Sequence, residues 1–544
     1  MNQHATLLEP LSPAPARYFS APWLTFRPLQ RARDFSAFQI AVLYVLMILI
    51  AAIPIVTNQV PPLEDYVNHL ARMNVIAKVG HDADLARFYE IDWQIVPNLI
   101  MDLIVPLLAR VMNIYAAGQV FTIFIFAQIV GGALILNRAL FGRWSVLPLV
   151  ATPFLYNYVF LVGTMNYLFG VGLSLWALAA WVALRNRAMP WRLLASTGFV
   201  VALFFCHLFA VGVYGIGILA YETWRLLSDK ERPFVRRALV LVAGGLPFLP
   251  AIPLLLASPT LENVGEFEWQ SDGKIEGLFY VVQVYSDVIA LSLLGILTVG
   301  AVWAARRRLL RVHPFLFVLA CVGGLVYIAL PRILFSTYLA DQRLPVALAY
   351  MLLACMQLEM RIRLVRRGFI MLLMLFLVVR AIEVNVVWAQ LSPQTLAMRA
   401  SVKKIAPGST VLIAYADAGG GDDVHDLGLV HAACLAIIER SALVTTAFTV
   451  QGKQVMHMTP AYRNRADTED ETPPSISQLV LAADKKVRRL SNYWDNWPTR
   501  FDYVYVLFTD DDAANPAPDQ LTPVYEGDRF QLYKVRKPEQ EAKK

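Results

Sequence analysis

Residues 38–56 read FQIAVLYVLMILIAAIPIV and carry no charge. A helix of about 20 such residues crosses a hydrocarbon core of about 30 Å. Inside that core only a helix or a closed barrel satisfies its own backbone. The run is not isolated. Apolar stretches of similar kind recur at about 116–137, 146–162, 167–184, 193–207, 208–225, 238–258, 287–305, 314–330, 345–359 and 368–388. This repetition restricts the chain to a polytopic α-helical membrane protein of about 11 spans. Composition agrees, with 57% hydrophobic and 16% charged residues, where a soluble chain has about 45–50% and about 25%.

Lysine and arginine sort by loop. One set of connections holds Arg27, Arg31 and Arg33, then Arg138 and Arg143, Arg185, Arg187 and Arg192, Arg225 to Arg237, Arg306 to Arg311, and Arg361 to Arg367. The alternate connections are poor in both residues. The positive-inside rule then predicts a cytoplasmic N-terminal tail, 1–36, and an external C-terminus. That tail is long, polar and proline-rich, unlike a cleaved signal peptide. The net charge of +7 is accounted for by topology, so no nucleic-acid partner is expected. Facing outward would be residues 58–115, 258–277 and 331–343 and everything after 389. Residues 97–112, PNLIMDLIVPLLARVM, are interrupted by Asp102, Arg110 and two prolines. They are expected to lie as an amphipathic helix on the outer interface.

From residue 391 the composition becomes that of a soluble domain. STVLIAYA, ALVTTAFTV and DYVYVLFTD have strand character, HDLGLVHAACLAIIERSA and SISQLVLAADKKVRRL have helical spacing, and LTPVYEGDRFQLYKV reads as a hairpin. The pattern predicts an extracytoplasmic α/β domain over 391–544, attached to a transmembrane module over 37–390. Cys434 is the only cysteine in it, so it holds no internal disulfide. Its GGGDDVHD loop lacks any nucleotide-binding spacing. It is either a polar turn or a contact for a metal or acceptor through Asp422 and Asp423.

The chemically richest segment directly follows the first span. NQVPPLEDYVNHLAR, residues 58–72, holds Glu64, Asp65, His69 and Arg72. A helix starting at Pro62 would align Asp65, His69 and Arg72 on one face and turn Glu64 about 100° away. Acids in a first turn also favour the helix dipole. The chemical alternative is a general base, because a carboxylate can take the proton of an attacking hydroxyl. Asp65 and His69 could instead share a divalent metal such as Mg or Mn.

This first span, its acid-bearing loop, the interfacial helix, the second span ending in LNRALFGR and the late DQRLP before a span resemble the GT-C type integral membrane glycosyltransferases. The similarity is to the bacterial branch with protein O-mannosyltransferase-like and aminoarabinose transferase-like enzymes. It covers roughly 37–388. Many such enzymes carry a DE pair where this chain has EDYVNH, which leaves Asp65 as the match. The resemblance implies transfer of a sugar from a polyprenyl-phosphate-linked donor to a glycan, lipid or protein acceptor, at the periplasmic face of a bacterial inner membrane. In that reading Asp65 and His69 are the catalytic candidates. Arg343 and Arg332 would bind the donor phosphate, since arginine matches phosphate oxygens bidentately; both could also anchor span ends. Glu64, Asp92, Glu266 and Glu268, with Asp102, are candidate acceptor contacts or second acids. His207 is either a ligand-side or a core histidine. A lipid-linked polysaccharide polymerase or ligase, a transporter and a non-catalytic assembly protein are the competing classes.

Overall fold

The computed structural model describes residues 34–231, 233–261, 267–335, 337–416, 419–466, 473–483, 492–510 and 513–537. Glu266 and the tail before residue 34 lie outside them.

Seven helices among the described residues are long and apolar enough to cross a membrane: Ala37–Thr57, Ile114–Phe141, Met165–Asn186, Met189–Cys206, Phe234–Leu256, Asp287–Arg306 and Arg363–Val402. Leu208–Ser228 has 21 residues, and Phe315–Ala329 and Leu344–Ala354 are shorter apolar helices. The first helix is closed by a capping box, with Ser36 accepting from the Gln39 amide and Gln39 reaching back. Arginine-bearing connections gather at one end of the bundle. There Arg143 donates to Gln357, Arg185 to the Ala139 carbonyl, and Arg361 pairs with Asp34.

The stretch expected as a straight span at 146–162 is different. It forms a 3-10 helix, Leu147–Phe154, and a single helical turn, Tyr158–Leu161. Pro148 and Pro153 break the α-helical ladder. The path still leads from the arginine-rich end to the opposite one, where the Glu64 amide bonds the Leu161 carbonyl. Such irregular backbone is tolerated at membrane depth only inside protein, and nearly all of 147–162 is buried.

The last long helix, Arg363–Val402, has 40 residues and runs through position 391 without a break. It enters the terminal domain, whose five-stranded sheet has the order Leu443–Val444, Thr410–Tyr415, Tyr503–Leu507, Phe530–Val535, Leu521–Gly527. The first three strands are parallel, Phe530–Val535 runs antiparallel to them, and Leu521–Gly527 closes the edge antiparallel to Phe530–Val535. ALVTTAFTV contributes only Leu443–Val444, and the expected helix over 425–442 is broken into Leu427–Val430, Ala432–Cys434 and Leu435–Arg440.

The first loop packs into this domain. Tyr89–Ile91 pairs antiparallel with Met456–Met458, and the Tyr89 hydroxyl joins the Ala442 carbonyl and the Val444 amide. Residues 97–112 form a nine-residue helix, Ile100–Leu108, which buries Met101, Asp102 and Val105 and exposes Leu103 and Leu107.

Candidate active site

Pro61-Pro62 does not start the helix. The Leu63 amide turns back to the Pro61 carbonyl, and the helix runs Tyr66–Lys78 with Asp65 at its N-cap. Glu64 and Asp65 therefore sit in a turn, and both line the same cavity. The expected 100° separation fails because it required a helix already formed at Glu64. The turn is clamped from below: the Glu64 and Asp65 amides bond the carbonyls of Leu161 and Val162. Gly163 follows with φ +86°, and a Cβ there would lie 2.9 Å from the Asp65 nitrogen. Only glycine meets both demands.

The cavity has a volume of about 440 Å³. Its base is Glu64, Asp65 and His69. Tyr158, Tyr167 and His207 form one wall, and Arg343 with Tyr338 another. The terminal domain supplies Asp422, Phe448, Lys453 and Gln454. Arg343 donates through Nη2 to the Tyr338 carbonyl at 2.9 Å, and its own carbonyl accepts from the Tyr167 hydroxyl. Its Nε is buried with no hydrogen-bond partner among the described residues. Burial drives the Glu64 carboxyl well above the usual range, and the Asp65 charge adds to this while Arg343 opposes it. Burial raises Asp65 as well, against the lowering effect of Arg343 and then Arg72.

His431, from the terminal domain, places Nε2 3.7 Å from Asp65 Oδ1. Its tautomer follows from Asn68. That amide is oriented at both ends, Nδ2 donating to the Thr446 carbonyl at 2.7 Å and Oδ1 accepting from the Phe448 amide at 3.0 Å. Nδ2 also faces His431 Nδ1 at 3.2 Å, so Nδ1 accepts and the proton resides on Nε2, toward Asp65. Burial lowers His431 to about 4, which keeps the ring neutral. His69 and His431 both meet Phe448 edge-on, at 5.3 and 5.1 Å between centroids. His69 is likewise held neutral, by burial and then by the nearby Arg72.

The other expected residues separate. Arg72 is fully buried and paired with Asp102 at 2.8 Å, so Asp102 is a structural counter-ion behind the cavity. Arg332 lines no part of it. Its Nε bonds Asp341 at 2.9 Å, Lys274 meets the other Asp341 oxygen at 2.8 Å, and Nη2 reaches the Asp272 carbonyl. Asp341 thus partners Arg332 rather than Arg343. Asp92 accepts from Gln94, and Glu268 is an exposed residue bridged to Ile333 through backbone; neither reaches the cavity. His207 does: it caps the Leu208–Ser228 helix through Nδ1 and meets Tyr167 edge-on, and burial lowers it to about 3. Asp423 instead pairs with His425. Among the described residues no three His, Cys, Asp or Glu side chains gather as metal ligands, so Asp65 and His69 find no third donor there.

His431, Phe448, Lys453 and Gln454 went unread in the sequence. His431 lies in an apolar, helix-like stretch, and nothing local marks it.

A multi-span bundle whose first loop presents carboxylates to a cavity, roofed by a C-terminal sheet domain, is a fold with solved counterparts. Its solved neighbours include ArnT, an aminoarabinose transferase, from Cupriavidus metallidurans. The ArnT structure bound to undecaprenyl phosphate superposes with a TM-score of 0.54 over 92% of this chain and 98% of that one, at 12% identity. The apo structure gives 0.54 with the same coverage at 10% identity. At such identity the likeness is one of fold. No family model and no curated protein matches the sequence.

Proposed function

We propose that this chain is a membrane glycosyltransferase that moves a sugar from a polyprenyl-phosphate-linked donor to a glycan, lipid or protein acceptor. The carrying observation is that Asp65, Glu64 and Arg343 share one cavity at the roofed end of a bundle whose solved neighbour binds undecaprenyl phosphate. In this reading the loop charges place that end in the periplasm of a bacterial inner membrane and the N-terminus in the cytoplasm.

Asp65 serves as the base. The acceptor hydroxyl attacks the anomeric carbon, the bond to the phosphate oxygen breaks, and Asp65 takes the hydroxyl proton as that bond breaks. The departing lipid phosphate keeps the bonding electron pair. Arg343 lines the same cavity with its guanidinium not fully paired, and a charge-assisted bond from it stabilises the leaving group. His431 turns its Nε2–H toward Asp65 from 3.7 Å, close enough to steady the carboxylate electrostatically but longer than a hydrogen bond, while Glu64, protonated by its burial, offers an O–H to the acceptor or sugar. His69 packs beside Asp65 as a neutral ring.

The test uses purified chain with an undecaprenyl-phosphate-linked sugar and membrane extract as acceptor source. Asp65→Asn should lower transfer by at least about 10² and leave undecaprenyl phosphate binding intact. Wild-type transfer by that variant would remove Asp65 from the reaction.

A further inference from the structure

Behind the Arg72–Asp102 pair lies a second cavity, of about 870 Å³. It is enclosed by the Tyr66–Lys78 and Ile100–Leu108 helices, the first turn of Ile114–Phe141 and the Leu435–Arg440 turn. None of the groups assigned to transfer reaches it.

Its polar lining is incomplete. Asn74 is 1% exposed, and neither its amide oxygen nor its nitrogen has a partner among the described residues. A buried amide left in that state carries a desolvation cost that a ligand with a donor and an acceptor would remove. The charges are incomplete too. The two acids of the lining are already matched, Asp102 by Arg72 and Glu439 by Arg399. The cations Lys78 and Arg110 also line it; Arg110 has no ion pair among the described residues, and Lys78 has only the longer-range attraction of Asp82, which lies outside the lining. The cavity therefore presents a surplus of positive charge.

Its remaining wall is apolar and continues onto the outside of the molecule. Leu103 and Leu107 line it while 43% and 56% exposed, and Val111 beside them is 80% exposed. The height also fits a membrane surface. The Ile114–Phe141 helix has 28 residues and is about 42 Å long, more than the roughly 30 Å of hydrocarbon. That leaves about 12 Å to divide between its two ends, room for its first turn, which lines the cavity, to stand outside the hydrocarbon.

We propose that this cavity binds an anionic phospholipid by its headgroup. The phosphodiester meets Lys78 and Arg110, a headgroup hydroxyl satisfies both sides of the Asn74 amide, and the acyl chains lie along Leu103 and Leu107. A soluble anion would use the cations but leave the exposed apolar wall unused. A zwitterionic lipid would use the wall but bring its own cation to Lys78 and Arg110.

The full chain in non-ionic detergent is titrated with dioctanoyl phosphatidylglycerol, dioctanoyl phosphatidylcholine and inorganic phosphate, and bound lipid is counted by native mass spectrometry. Phosphatidylglycerol should bind tightest. The double variant Lys78→Gln, Arg110→Gln should weaken it by about 30-fold, the effect of two basic residues against anionic lipid, with undecaprenyl phosphate binding unchanged. Both side chains lie at the surface, so the variant should fold. Asn74→Leu, which offers no hydrogen bonds, should weaken phosphatidylglycerol but not raise phosphatidylcholine. Equal binding of the two lipids, or an unaltered double variant, would overturn the proposal. Inorganic phosphate that competes as strongly as the lipid would make the cavity a simple anion site and reject the lipid. Loss of sugar transfer would bear only on the other cavity.

Discussion

Two arginines bound the 331–343 connection, and the fold uses them in opposite ways. Around Arg332 every charge is matched: Asp341 takes the guanidinium on one oxygen and Lys274 on the other, and a backbone carbonyl takes Nη2. Around Arg343 the matching stops short. Its Nε has no hydrogen-bond partner among the described residues, and the acids that share its cavity are pushed by burial toward their neutral forms. Residue type, loop and distance from the bundle are alike. What separates a fastening from a receptor is whether the local inventory of donors and charges closes without a ligand.

The largest effect should come from the closed cluster. Arg332→Ala leaves Asp341 buried with one cation fewer, and loss of one partner of a buried ion pair costs roughly 3–5 kcal/mol. A melting curve should show this as a large fall in Tm. Arg343→Ala should leave Tm near the wild-type value and sharply weaken undecaprenyl phosphate binding instead. If both variants behave alike, the contrast is broken.

Next in size is His431. His431→Phe keeps a ring against Phe448 but removes the Nε2–H that faces Asp65. Transfer kcat should fall by up to about 10²-fold, as for a misplaced catalytic group, with lipid-phosphate binding unaffected. A drop in binding with kcat preserved would assign His431 to the substrate.

A pH profile sharpens the contrast further. Asp65 must be ionised to act as base, and its carboxyl is raised by burial. The acidic limb of kcat should therefore lie above the ordinary aspartate value of about 4. Arg343 opposes that rise, so Arg343→Lys, which keeps the charge, should hold the limb near its place. Arg343→Ala should move the residual activity's limb upward.

A last effect is on stability alone. Glu64 binds its proton more tightly folded than unfolded. Above about 4.3 the unfolded chain releases a proton that the folded chain retains, so stability falls as pH rises. Glu64→Gln removes that dependence. Its Tm should exceed wild type at pH 8 and match it at pH 4.

Much of this was legible in the sequence because its signals are local. Apolar run length marks the bundle, and charge beside a run marks Asp65 and Arg343. Failures occurred where distant packing decides. The run at 146–162 has the apolarity of a span, but two prolines prevent an α-helix and complete burial makes the irregular path tolerable. Glu64 was misdirected because Pro61-Pro62 reads as a helix start, whereas the backbone first docks on Leu161 and Val162. Sequence favours Arg343 over Arg332 only through its ADQRLP setting, since Lys274, which helps close the first cluster, arrives from another loop. His431 reaches Asp65 across more than 360 positions of chain through the Asn68 amide and the pairing of Tyr89–Ile91 with Met456–Met458.

The Arg363–Val402 helix, 40 continuous residues with Pro393 inside them, has a contour of about 60 Å. Half of it crosses hydrocarbon and half carries the roof of the cavity. A rod of this kind has phase as well as length. One residue inserted beyond position 388 would lift the roof by only about 1.5 Å but turn it by about 100°, carrying His431 and Phe448 away from Asp65. Seven residues would add about 10 Å and nearly restore the heading. The reach of this site is therefore not a continuous variable: the helix admits changes of height only in steps that return the roof to the same compass bearing.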